Sequence, residues 1–92
     1  MLGWLKNLFT PQAPAGPRFE PVEYKGFTII PEPGAEGGQF RLQGRIVHSK
    51  NGEQREYRLI RADLLPGAEQ AAELMISKAQ RLIDENGERL FD

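Results

Sequence analysis

The chain of 92 residues contains no cysteine. Disulfides, thiolate metal sites and thiol nucleophiles are therefore excluded, and the composition fits a reducing compartment. No apolar run approaches the roughly 18 residues that a membrane-spanning helix needs, and the first nine residues do not have the pattern of a cleavable signal. We accordingly expect a cytoplasmic protein without a membrane span.

An excess of charge of one sign is also missing. Twelve basic and thirteen acidic residues give a net charge of −1, so no overall field attracts nucleic acid or an anionic membrane. A chain of this length forms one domain, which buries only about 60–65% of its unfolded surface. Any preference for a charged partner must therefore come from a local patch.

Groups that could carry catalysis are few and scattered. His48 is the only histidine. It has no second ligand or triad partner nearby in the predicted fold, so we interpret it as an ordinary surface or edge histidine. Asp63 follows a predicted strand, where it can cap a turn or pair with Arg61, whereas a catalytic acid needs a second group in a cleft. We predict no enzyme activity, no metal and no cofactor.

The first 21 residues divide into an apolar start and a proline-rich tether. Residues 1–9 have apolar side chains at near-helical spacing, but two helical turns are marginal alone, so the segment orders only against something. It either packs on its own domain or frays, or it docks on a partner, and its single lysine favours a protein over a lipid surface. Residues 10–21, with four prolines, read as an extended, semi-rigid linker that holds residues 1–9 away from the domain. We therefore expect the fold to begin with a flexible N-terminal segment. The candidate docking residues are Trp4, Leu5, Leu8 and Phe9.

An Asn-Gly pair at positions 51 and 52 gives the clearest structural signal in the chain. Two alternating runs, residues 39–50 and 53–61, flank it, and this pattern is typical of a hairpin with a two-residue turn. The turn fixes the register of the two strands. The predicted pairs are Lys50 with Glu53, Ile46 with Tyr57, and Arg45 with Arg58.

That register places two different sets of side chains on the two faces of the hairpin. The polar face carries candidate anion or nucleic-acid contacts, which could bind phosphate or an acidic partner helix. It could equally be a solvated outer face, in which Glu56 offsets its neighbouring arginines. Exposed aromatic groups for stacking on bases are missing there. The apolar face comprises Phe40, Leu42, Ile46, Tyr57 and Leu59; the cationic candidates are Arg41, Arg45 and Arg58, with Gln39 and Gln43 between them.

The remaining segments complete an α+β fold. Residues 24–30 form a strand pattern stopped by Pro31, and residues 31–38 read as a loop. Residues 62–66 break the third strand, and a helix with one apolar stripe runs over 67–86, ended by Gly87. The sequence thus predicts a three-stranded antiparallel meander packed against one C-terminal helix (β-β-β-α), over residues 22–92.

Four segments of the chain are distinctive: residues 20–29 (EPVEYKGFTI), 36–41 (EGGQFR), 60–63 (IRAD) and 78–91 (KAQRLIDENGERLF). Together they resemble a small bacterial family called HlyU, whose name denotes a transcriptional activator. The resemblance implies a role in transcriptional regulation through contact with DNA or with a regulator protein, and it implies no catalytic residue or ligand. The alternative is an interaction module that docks through its apolar N-terminal segment without binding nucleic acid.

Overall fold

A computed structural model describes residues 19–92 as an antiparallel sheet followed by one long helix. The predicted apolar segment 1–9 and most of the predicted linker 10–21 lie outside the described residues. The strands are β1 (Val22–Tyr24), β2 (Phe27–Pro31), β3 (Gly34–Glu36), β4 (Gln39–Lys50) and β5 (Glu53–Leu65); helix α1 (Ala68–Asn86) and a short 3-10 helix (Gly87–Phe91) follow.

Strand β4 is the centre of the sheet. Strands β2 and β3 pair end to end along one of its edges, β5 pairs along the other, and β1 pairs with β2. All of these pairings are antiparallel. The predicted α+β class with an antiparallel sheet and a C-terminal helix is confirmed. The predicted number of three strands is wrong, because the sheet has five.

The first extra strand arises from a turn inside the segment that the sequence indicated as one strand. Lys25 and Gly26 have φ angles of 50° and 87°, and Tyr24 pairs with Phe27 across them. Positive φ at both central residues defines the tight turn that suits the twist of a β-hairpin. Lysine rarely adopts this conformation, and so its presence there gave little warning of a turn.

The second extra strand lies in the segment predicted as a loop. β2 ends at Pro31, and after a two-residue bend β3 resumes the pairing with β4, with Gly34 opposite Arg41. The backbone N–H of Glu32 donates to the carbonyl of Gln43 at 2.9 Å, which continues the ladder through the bend. A run rich in proline and glycine is thus a bent edge of the sheet.

The hairpin prediction is confirmed in detail. Asn51 and Gly52 have φ angles of 52° and 78°, and the three predicted cross-strand pairs are present. The predicted strand break at 62–66 is wrong, because β5 continues to Leu65. The register of the pairing with β4 shifts within this extension. Because β5 continues past residue 63, Asp63 lies inside the strand instead of following it.

Helix α1 covers the apolar face of the sheet, which we call the inner face. Met75 is fully buried and lies over Gly44 of β4. A Cβ atom added at Gly44 would lie 2.9 Å from the Met75 sulfur and still closer to the carbonyl oxygen of Ile30. The glycine therefore permits the helix to approach the strand closely. The core cluster is Phe27, Ile29, Leu42, Ile46, Leu59, Met75, Ala79 and Ile83.

Candidate interaction surface

The face of the sheet opposite the helix carries the three arginines that the sequence indicated as candidate contacts. Alternation along β4 and β5 places them there, since Arg45 and Arg58 are direct cross-strand partners and Arg41 lies four residues before Arg45. Carboxylates and two exposed large apolar side chains share this face. We call the set the outer surface: Arg41, Arg45, Arg58, Glu32, Glu36, Glu56, Ile60 and Leu64.

Arg45 is held between two carboxylates. Its guanidinium lies 3.0 Å from Glu32 and 3.3 Å from Glu56. Partial burial lowers the pKa of Arg45, but the hydrogen bonds and charges of Glu32 and Glu56 outweigh burial and raise that pKa above its usual value. Glu32 comes from the bend between β2 and β3, so the bend supplies the first partner and β5 the second.

Arg41 is anchored by both a side chain and the backbone. Its Nε donates to Glu36 at 2.9 Å, and a terminal nitrogen donates to the carbonyl of Arg61 at 3.3 Å. Because Glu36 belongs to β3, this ion pair again links the edge of the sheet to β4. The guanidinium of Arg41 is therefore engaged on two sides.

Arg58 is the most open of the three arginines. Its side chain is 72% exposed, and its Nε lies 3.7 Å from the same Glu56 carboxylate that contacts Arg45. Glu56 thus lies between two like charges that face each other across the strands, as the sequence predicted. Three arginines and three glutamates together carry no net charge. The proposed contacts of this surface with a partner stay a prediction.

Exposed apolar groups lie beside these ion pairs. Within residues 19–92, the large apolar side chains that are most open to solvent are Ile60, 55% exposed, and Leu64, 38% exposed. Both follow Arg58 at even spacing along β5, and Leu64 pairs with Arg41. We did not single them out from the sequence, although the alternation that places Arg58 outside also places Ile60 there. A shallow depression lies farther along the same face, toward the hairpin turn, and is lined by Thr28, Ile30, Arg45, Val47, Gln54 and Glu56.

His48, which the sequence indicates as an ordinary surface or edge histidine, lies at the margin of the core. Its side chain is only 14% exposed, and its ring stacks on Phe27 with centroids 4.4 Å apart. Nδ1 is 3.2 Å from the Gly26 carbonyl, and Nε2 lies 3.6 Å from a Glu88 oxygen. Phe91 of the 3-10 helix also stacks on this ring, at 6.1 Å. The predicted position opposite Arg55 is confirmed.

Two ion pairs tie the C-terminal part of the chain to the sheet. Asp84 accepts hydrogen bonds from Lys25 at 2.7 Å and Tyr24 at 3.0 Å, which lower the pKa of its carboxyl group. The hydrogen bond between Lys25 and Asp84 also raises the pKa of Lys25. Glu88 accepts a hydrogen bond from Lys50 at 2.8 Å, which lowers the pKa of Glu88. The Asp84 contacts join α1 to the turn between β1 and β2, and the Glu88 contact joins the 3-10 helix to the end of β4.

Across residues 19–92, no group of three acidic or histidine side chains is arranged to hold a metal ion. No helix in this part of the chain is long and apolar enough to cross a membrane. The candidate docking residues Trp4, Leu5, Leu8 and Phe9 lie outside the described residues, and their role stays a prediction.

Comparison with known proteins gives one match. A family model described as "Transcriptional activator HlyU" matches residues 3–91. No curated protein and no solved structure matches the chain. The family match includes all four segments on which the sequence resemblance was based, and it extends over nearly the whole chain. The chain therefore belongs to the HlyU family.

Proposed function

We propose that this protein is a cytoplasmic, non-enzymatic regulator of transcription that acts by contacting another protein through its outer surface. The family description supports the regulatory role. The choice of a protein partner depends on one observation: exposed Ile60 and Leu64 lie beside arginines that already have carboxylate partners.

The composition of the outer surface fits a protein interface better than a DNA interface. Arginine is enriched in protein interfaces, and exposed apolar groups rimmed by polar residues are typical of interaction sites. Charges around the rim provide specificity. Affinity for DNA comes chiefly from cations that neutralise phosphates. A phosphate approaching Arg45 would have to displace Glu32 and Glu56, so direct DNA contact gains little from this surface.

The test combines a gene deletion with complementation. Transcript levels are compared in cells that lack the gene and in cells that carry the wild type, the double variant Ile60→Glu, Leu64→Glu, or the control Ser77→Glu. Ser77 is exposed on α1 and is not part of the outer surface. We expect the wild type and the control to restore the altered transcripts, and the double variant to fail while its circular dichroism spectrum stays native.

Direct DNA contact is tested on the purified full chain. Fluorescence anisotropy with labelled duplex DNA at low salt should show no binding that depends on Arg45 and Arg58. Salt-sensitive binding that disappears in the Arg45→Glu, Arg58→Glu variant would establish the DNA mechanism in its place. Full restoration of transcripts by the Ile60→Glu, Leu64→Glu variant would contradict the proposed protein contact.

A further inference from the structure

Strand β5 forms a long edge of the sheet. Within residues 19–92 it pairs with β4 alone, and it extends over thirteen residues. The opposite edge is formed by two short strands, β1 and β3, of three residues each. An edge strand presents alternate N–H and C=O groups that can pair with a further strand. The two edges of this sheet therefore differ greatly in what they could bind.

Only part of the β5 edge is regular enough to accept a strand. Residues 53–60 pair with β4 without interruption, and the register shifts beyond Ile60. The middle of this regular segment lies between Glu56 and Tyr57. A second strand that uses the whole segment is therefore centred near these two residues.

The charges along β5 favour pairing with a second β5. In an antiparallel pair of two copies centred on Tyr57, Glu53 of each copy faces Arg61 of the other, which is the first residue beyond the regular segment. In the same pair, Glu56 of each copy faces Arg58 of the other. Opposite charges at directly paired positions stabilise a sheet, and like charges destabilise it.

Neighbouring registers lack this match. Centring the pair on Glu56 sets two glutamates against each other. Centring it on Arg58 sets the two Arg58 side chains against each other and places Arg55 opposite Arg61. Centring it on Arg55 sets the two Arg55 side chains against each other. Of the four registers centred on residues 55 to 58, only the one centred on Tyr57 has no like-charge pair.

We propose that two copies of this chain associate through the β5 edge, antiparallel and centred on Tyr57. Their two five-stranded sheets then become one continuous sheet, with a two-fold axis perpendicular to it. Both α1 helices lie on the same face. This proposal does not depend on the proposed function.

A cysteine scan tests the register directly, because the wild-type chain has no cysteine. At the axis, the Cα atoms of paired residues lie about 4.5–5.5 Å apart, which suits a disulfide. We expect Tyr57→Cys in the full chain to cross-link to a dimer under mild oxidation. In Glu56→Cys and Arg58→Cys, the two cysteines are diagonal neighbours about 7–8 Å apart, and these matched variants should cross-link at least about tenfold more slowly.

Charge exchange tests the same interface without a covalent bond. Sedimentation equilibrium of Glu53→Arg and of Arg61→Glu should each show a dimer weakened by about tenfold, because each change creates two like-charge pairs. The double variant exchanges the charges and should return to within about threefold of the wild type. The control Glu73→Arg, on the exposed side of α1, should leave the dimer unchanged.

Two outcomes would overturn the proposal. The full chain could sediment as a monomer at every concentration reached, or cross-linking could be fastest at a position other than 57. If the full chain is a monomer, dimerisation of a variant lacking residues 1–18 would show that the N-terminal segment prevents the association. Native circular dichroism spectra for each variant separate these results from a failure to fold.

Discussion

The two faces of β4 are built from alternate residues of one strand, yet they are stabilised in different ways. On the inner face, Leu42 and Ile46 are fully buried, and Gly44 between them lies under α1. On the outer face, Arg41 and Arg45 lie in ion pairs open to water. Stability is concentrated on the inner face, where shape decides which residues fit. The outer face can change its side chains at little cost, and is therefore the face on which function can vary.

The largest difference in stability between the two faces should appear when one apolar side chain packed on the inner face and one on the outer face are each truncated. Met75→Ala leaves a cavity against Gly44 and should lower the free energy of unfolding by about 2–4 kcal/mol. Ile60→Ala removes an exposed side chain and should change it by no more than about 0.5 kcal/mol. Urea denaturation of both variants measures this, and equal losses would contradict the contrast between the faces.

Adding a methyl group to the inner face tests its packing. Gly44→Ala should cost about 1–3 kcal/mol, because the new Cβ meets the Ile30 carbonyl oxygen, and backbone cannot move aside easily. The control is Gly34→Ala, whose Cβ would meet only the flexible end of Gln43. We expect the control to change stability by less than about 0.5 kcal/mol. If thermal unfolding gave the same loss for both, close helix approach would not be the cause.

Removing one charge from the outer surface should have a smaller effect. In the Glu56→Gln variant, Arg45 and Arg58 face each other without the negative charge of Glu56 between them. The Glu56 side chain is 42% exposed, and water screens the pair, so the loss should be about 0.5 kcal/mol. At about 1 M salt, where the screening length is about 3 Å, the loss should nearly vanish. Glu73→Gln on α1 is the control, and a loss unchanged by salt would indicate a cause other than charge.

The smallest expected effect concerns pH. Hydrogen bonds from Lys25 and Tyr24 lower the pKa of Asp84 from its ordinary value of 3.8. Its contribution to stability is complete above that value and is lost as the pH falls through the lowered pKa. Asp84→Asn should therefore flatten the dependence of unfolding free energy on pH in acid. The exposed neighbour variant Glu85→Gln serves as control, and identical slopes for Asp84→Asn and the wild type would refute this role.

Local patterns were sufficient to predict the hairpin and the helix. The Asn51-Gly52 turn fixed the register, and therefore the assignment of Arg45 and Arg58 to one face. The stripe along α1 likewise indicated which side of the sheet it covers. Each of these predictions depends on residues that are close together in sequence.

Features that depend on distant or unusual residues could not be predicted. A lysine rarely occupies a left-handed turn, so the sequence pattern does not indicate the turn that separates β1 from β2. The Pro31-to-Gly38 segment resembles a loop in composition, so β3 was missed. With β3 missed, Glu32 and Glu36 could not be placed beside their arginines. The cationic patch predicted from the hairpin alone is thus a charge-balanced surface.

The sheet order has a consequence for the rate of folding. β5 follows β4 directly through the Asn51-Gly52 turn, and each other pairing joins strands that are adjacent or separated only by β3. Contacts between nearby parts of a chain need little loop closure, and domains rich in them fold quickly. We expect the β4–β5 hairpin to be structured in the folding transition state, and the contact of Phe91 with His48 to form only after that barrier is crossed.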